Sequence, residues 1–298
     1  RPVQQMDSDC RIRHLRRLME ETDLDFCLLT SPENMQYFSG FEAITYSRPI
    51  FFLVSPDTTT LIIPALEEAH AHLDSTGADR LLVYYEHPEK ASLGTSAMEL
   101  VGKVLPQGKQ IALGVEAGAL SLRNAAALEA LGCTLTDIGP HVVEMRYLKD
   151  EEEQGYIREA GRLSVYAFEK TLEHAREGIS EMELEQRGTT ALFEYLGTDY
   201  PYHFSSPGCI TPSGPERTVM PHVYSNTRRL QQGDMVIHVR KPAVNGYYGE
   251  LERTFFIGQP SPEAERAFCA MLEAQTAVME AIRPGVTAGE MDRLGRDI

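Results

Sequence analysis

Residues 233–258, GDMVIHVRKPAVNGYYGELERTFFIG, read as a strand, a turn and a second strand. Two carboxylates, Glu250 and Glu252, stand at i and i+2 on the second strand. Alternation puts both side chains on one face of the sheet, with their Cα atoms roughly 6.5–7 Å apart. Two acids on one face of a mostly apolar hairpin suit a site. The competing reading is that one acid pairs with Arg253 or another nearby cation while the other is solvated.

Working outward, a chain of 298 residues is long for a single core, and two domains of about 150 residues are expected. The formal charge of −16 argues against nucleic acid, because a phosphate-binding surface needs a basic patch. Arg11, Arg13, Arg16 and Arg17 come closest to one, and their helical spacing reads as a solvated face. No apolar run reaches the roughly 18 residues of a membrane span and no signal-peptide pattern opens the chain, so a cytoplasmic protein is expected. The five cysteines are scattered and lack a C-x-x-C spacing, which indicates reduced thiols rather than a disulfide framework or a zinc site.

The first half alternates strands and helices. Residues 8–22 form an amphipathic helix on Ile12, Leu15 and Met19, and strands follow at 26–30, 47–55 and 59–64, with a helical turn at 34–40. Helices at 65–73, 92–104 and 119–131 then alternate with strands at 81–85, 111–116 and 134–138, which makes an α/β domain over residues 1–145. Gly139-Pro140 begins the connection to the second domain, 146–298. A long helix opens there on Asp150 to Glu153, acids favoured by the helix dipole, with Ile157, Ala160, Ser164, Phe168 and Thr171 as its inner stripe.

Ser180 and Glu183 form a capping box after Gly178. The device recurs 107 residues later at 285–291, each time after a helix, which suggests a duplicated helix-helix-sheet unit. The first copy runs into its sheet over 201–258. The second stops at Ile298, inside its second helix, so on this reading the fold is truncated and roughly 80 to 100 residues of a second sheet lie beyond the end.

These features together resemble the creatinase/aminopeptidase family, peptidase family M24, whose catalytic half is the pita-bread fold. Residues 34–41 (NMQYFSGF) with Ser47-Arg48-Pro49 are similar to its N-terminal α/β domain, and 230–258 has the family's GD…GY…RTF…G frame. The resemblance implies a hydrolase of C–N bonds. In the family's metallopeptidases each strand of the hairpin places one Asp on a pair of metal ions, and those positions fall on Val239 and Glu250. Valine has no donor atom, His238 is aimed at the opposite face by alternation, and Lys241 shares the parity of Val239 and would set a cation where metal would sit. No metal cofactor is therefore expected.

The departure resembles the family's metal-independent, creatinase-like branch. That likeness implies catalytic roles for Glu252 and for His222, which precedes Gly233 by eleven residues. An imidazole can take and return a proton at neutral pH, and a carboxylate can hold a guanidinium or other cationic nitrogen. The branch also implies that Tyr46 and Arg48 reach the neighbouring subunit of a homodimer to hold a substrate carboxylate. Glu250 is the added acid of the substrate site, and His203 lies on the same approach as His222. The expected activity is cleavage of a C–N bond in a small substrate with a carboxylate and a cationic nitrogen. The rivals are an Xaa-Pro dipeptidase or aminopeptidase with an altered metal site, and a catalytically inactive pita-bread binding protein.

Overall fold

The structure is a computed structural model that describes residues 8–298 apart from 43, 45, 46, 198 and 221, and apart from the side chain of Pro207. The chain divides into two compact units. The first runs up to Tyr156 and also takes in Pro201–His203 and Asn245–Tyr247; the second comprises Ile157–Tyr200, Phe204–Val244 and Tyr248–Ile298.

The first unit contains, in order, α1 (Ser8–Glu21), β1 (Phe26–Leu29), α2 (Pro32–Ser39), β2 (Phe51–Val54), β3 (Thr59–Pro64), α3 (Glu68–Asp74), β4 (Arg80–Tyr84), α4 (Ala97–Val104), β5 (Ile111–Val115), α5 (Leu122–Ala130), β6 (Cys133–Asp137) and α6 (Gly139–Met145). Its strands form one mixed sheet in the order β4-β3-β2-β1-β5-β6. The period of two divides the core. Phe52, Val54, Leu61 and Ile63 pack with Leu15 and Met19 of α1, whereas Phe51, Leu53 and Ile62 pack with Leu100 and Val101 of α4 and Leu128 of α5. The result is a sheet with helices on both faces.

Several expectations change in this unit. Ser31 caps α2 and Pro32 takes its first turn, so a helix of two turns replaces the predicted turn at 34–40. The strand predicted over 47–55 shrinks to β2, and α4 and α5 start only after their caps Ser96 and Ser121. Gly139-Pro140, read as a connection, instead starts α6.

Arg11 is not on a solvated face. It lies on the stripe of Leu15 and Leu18, is buried, and stacks 4.1 Å over the Tyr37 ring. Its guanidinium donates to the Tyr37 carbonyl at 3.0 Å and to Asp150 at 2.9 Å, with Glu153 at 3.4 Å. The acids that open the next helix thus compensate a buried cation. Glu153 also accepts from Tyr247 at 2.9 Å, and Gln36 donates to the Asn245 carbonyl at 2.8 Å. Asn245 and Gly246 carry φ of 45° and 78°, the left-handed conformation that a tight hairpin turn requires.

α7 (Glu151–Leu172) starts in the first unit and continues into the second, followed by α8 (Glu181–Leu196), β7 (Phe204–Ile210), α9 (Gly214–Arg217), β8 (Met235–Val244), β9 (Tyr247–Tyr248), β10 (Leu251–Phe256), α10 (Pro262–Ala281) and α11 (Ala288–Arg296). β8 is central, between β10 and β7, in an antiparallel sheet. The Ser180–Glu183 capping box is present, and Thr287 with Glu290 repeats it on α11; Gly178 and Gly285 precede the two boxes with φ of 83° and 93°. The repeated device is therefore real at the level of backbone and cap.

β8 alternates as expected. Val236, His238 and Arg240 are buried, while Ile237, Val239 and Lys241 are half-buried or exposed. Arg240, 2% exposed, donates to Thr171 of α7 at 3.1 Å and to Thr189 and the Glu185 carbonyl of α8 at 2.9 and 2.8 Å. Gly188 makes this approach possible, since a Cβ there would collide with the Thr171 hydroxyl, the Arg240 guanidinium and the Ala167 carbonyl. Gly188→Ala is expected to lower the unfolding free energy by about 1–3 kcal/mol through overpacking. Gly155→Ala, on the open face of α7 with nothing within 4 Å, is expected to raise it by about 0.5–1 kcal/mol. Denaturant midpoints of the two variants provide the check.

Candidate functional site

The ladder between β8 and β10 sets the site's face. Glu252 lies directly opposite Val239, and Leu251 and Arg253 lie opposite Arg240 and His238. Glu250 and Glu252 are both exposed. The Lys241 ammonium sits 3.8 Å from Glu250 Oε2 and 5.7 Å from the centre of the Tyr248 ring. A cation therefore stands beside the acid pair, at the parity that alternation predicted for Lys241.

Of the cations near the acid pair, Lys241 rather than Arg253 is the one that meets Glu250. Arg240 points to the other face of β8, where burial holds its guanidinium below the usual value. Arg253 donates to the Glu252 carbonyl at 2.8 Å rather than to a carboxylate.

On that buried face His238 and Arg240 act together. Arg240 Nε donates to His238 Nε2 at 3.0 Å, so the imidazole keeps its proton on Nδ1 and donates it to Thr211 Oγ1 at 2.9 Å. Burial, with the Arg240 cation as the lesser cause, pulls the imidazole down to about 3. Phe168 stacks on it with centroids 5.8 Å apart. Glu185 accepts from Ser225, and burial pushes its carboxyl up despite that bond and the nearby Arg240. The sequence carried a signal for this cluster, since His238 and Arg240 share the parity of Val236. Its hydroxyl acceptors came from helices too distant in sequence to be foreseen.

His222 is exposed on the long connection between β7 and β8, and among the described residues nothing ties it to Glu250 or Glu252. In the first unit, Arg48 Nε donates to Glu86 at 2.7 Å, and both are exposed. Arg48 borders a cavity of about 320 Å³ with Tyr84, Glu86, Ser96 and Arg123. His203 Nδ1 lies 3.3 Å from Glu42, and its backbone N–H donates to Asn245 Oδ1. Tyr46 lies outside the described residues.

Residues 155–298 match metallopeptidase family M24, and residues 11–148 match the creatinase/prolidase N-terminal domain. The chain belongs to the M24 family. It is a hydrolase of that family, with the pita-bread second half that the hairpin resembled.

Among curated M24 relatives it is similar to the Xaa-Pro dipeptidase of Pyrococcus furiosus, 26% identical over 97% of this chain and 76% of the relative. The solved Xaa-Pro dipeptidase from Bacillus anthracis superposes with a TM-score of 0.81 at 25% identity, covering 98% of this chain and 77% of that one. A prolidase from Thermococcus sibiricus shares the fold, with a TM-score of 0.84 at 21% identity over 99% of this chain and 77% of that one.

The M24 hairpin of this chain does not fit a metal pair. Of the two positions that the resemblance maps onto metal ligands, Val239 has no donor atom in its side chain and Glu250 faces the Lys241 ammonium at 3.8 Å. Among the described residues no three His, Cys, Asp or Glu side chains are grouped to hold an ion. No described helix is long and apolar enough to cross a membrane.

The buried His238 has a consequence for stability. Its folded pKa, about 3, lies below the unfolded value of 6.5, so the neutral ring contributes stability that is complete above 6.5 and lost as pH falls towards 3. Between pH 7 and pH 5 the unfolding free energy should fall by about 2 kcal/mol through this residue. Urea midpoints at the two pH values measure it, and in His238→Gln this part of the pH dependence should vanish.

Proposed function

We propose that the chain hydrolyses the C–N amide bond of a short peptide of the Xaa-Pro type, with a metal site altered from that of other M24 peptidases. The observation that supports this most is the similarity to an Xaa-Pro dipeptidase across 97% of the chain, through both halves. An Xaa-Pro dipeptide carries a cationic amine and a carboxylate, the two groups that the residues of this chain suit. Glu252, opposite the uncharged Val239, receives the ammonium by charge-assisted hydrogen bonds, with Glu250 beside it. His222 gives a proton to the departing nitrogen as water adds to the carbonyl carbon. In a homodimer, Arg48 of one protomer grips the substrate carboxylate in its partner, a task suited to a guanidinium fork, with Tyr46 and His203 as further substrate contacts.

A second reading, favoured by Val239 and by the Lys241–Glu250 pair, is a metal-independent hydrolase of the creatinase-like branch acting on an amidino acid. Both readings use His222 and Glu252; they differ in substrate and metal. The purified protein is to be assayed on Xaa-Pro dipeptides and amidino acids, with and without chelator, alongside elemental analysis. Dipeptide turnover that chelator abolishes, with bound metal in stoichiometric amount, supports the first reading. Chelator-resistant turnover of an amidino acid by metal-free protein supports the second. Under either, His222→Ala should lower turnover by about 10²–10⁴-fold, and wild-type turnover in that variant sinks both.

A further inference from the structure

The connection that carries His222 is braced by one buried carboxylate. Glu181, in the first turn of α8, is fully buried (0% exposed). Its Oε1 accepts from Ser213 N at 2.9 Å, Ser213 Oγ at 2.7 Å and Arg217 Nε at 2.9 Å, and its Oε2 accepts from Asn226 N at 3.0 Å. Residues 213 and 217 lie on the outgoing limb of the connection and 226 on the returning one, so a single side chain holds both. Four donors on one ionised carboxylate are charge-assisted bonds, roughly twice as strong as neutral ones.

Other bonds reinforce the base of the connection. Glu181 N and Met182 N donate to the carbonyls of Arg228 and Asn226 at 3.0 and 3.2 Å. The Arg228 guanidinium forks on Asp234 at 2.6 and 3.0 Å and donates to Ser213 Oγ at 2.8 Å. Thr211 N donates to Ser225 Oγ at 2.8 Å.

Arg217 carries the brace towards the tip. Besides its bond to Glu181 it donates Nη2 to the Tyr224 carbonyl at 2.6 Å, which spans the connection from residue 217 to residue 224 with His222 between. The side chain of Arg217 is 17% exposed and that of Glu181 is not exposed at all, so the bond between them is shielded from water and salt. A proton carrier must be held within about 0.5 Å of its working position. An exposed imidazole on a long, unbraced connection does not meet that requirement, because each free backbone residue keeps several conformations.

We infer that Arg217, oriented by Glu181, is the positioning residue for His222. The inference rests on the proposed role of His222 in proton transfer. Arg217→Met removes the tie to the Tyr224 carbonyl as well as the ion pair. Arg217→Lys keeps a cation against Glu181 and should preserve folding, yet it lacks the fork needed to hold both partners.

The test measures kcat and KM for a substrate that the wild-type chain turns over, together with amide hydrogen exchange of residues 218–220 and 222–224. In both variants exchange of that segment should accelerate, and kcat should fall by on the order of 100-fold with KM little changed, the size of effect that a misplacement of about 1 Å produces. Combining Arg217→Lys with His222→Ala should cost nothing beyond His222→Ala alone, because the arginine acts through the histidine. Unchanged exchange in Arg217→Lys overturns the brace. Faster exchange with wild-type kcat overturns the dependence of His222 on it. Additive losses in the double variant show that Arg217 acts elsewhere and also overturn the inference. Wild-type turnover in His222→Ala alone removes the function reading, and with it the catalytic half of this one, while the exchange result still decides whether the connection is braced.

Discussion

The second unit is built around a guanidinium buried where, among the described residues, no carboxylate bonds it directly. Taking such a cation out of water costs several kcal/mol unless its N–H groups all find acceptors. Four of the five N–H groups of Arg240 find them, in the hydroxyls of Thr171 and Thr189, the Glu185 carbonyl and the lone pair of His238. Each acceptor constrains an element: α7 and α8 must approach β8 closely, which leaves room only for glycine at 188, and His238 must remain neutral with its proton on Nδ1. Removing any one acceptor leaves a buried N–H without its partner, so the cluster resists piecemeal change.

That constraint reaches the opposite side of the strand. Because side chains alternate from Val236 to Lys241 of β8, committing 238 and 240 to the interior commits 239 and 241 to the face shared with Glu250 and Glu252. A slip by one residue would bury Lys241 and expose Arg240, leaving the hydroxyls of two helices without their donor. The register that places Val239 opposite Glu252 is thus held from behind, by groups that make no contact with the site.

How far the sequence revealed this depended on the range of each interaction. Local rules were readable. The capping boxes at Ser180 and Thr287, the hairpin at 233–258 and the shared face of Glu250, Glu252 and Lys241 all follow from spacings of two or three residues. Arg11 was misread because a helical stripe says which face a residue occupies and not whether a distant acid will meet it there; Asp150 and Glu153 do so across 139 and 142 positions. α6 was missed because Gly-Pro serves equally as a turn and as the first turn of a helix. Glu181 was legible as a first-turn acid of α8, but its four bonds to the connection around His222 come from residues 32 to 45 positions away.

The charges on the hairpin face also order the two acids. Glu250 has a cation at 3.8 Å, in an exposed setting where such a pair contributes about 0–1 kcal/mol and exchanges readily. Glu252 faces an uncharged valine, and its neighbour Arg253 spends its bond on a carbonyl. Under the function proposed above, an ammonium or guanidinium would meet Glu252 without displacing a partner that the described residues supply, whereas at Glu250 it would compete with Lys241. The face thus holds two unlike acids, one engaged by Lys241 and one opposite a side chain without charge.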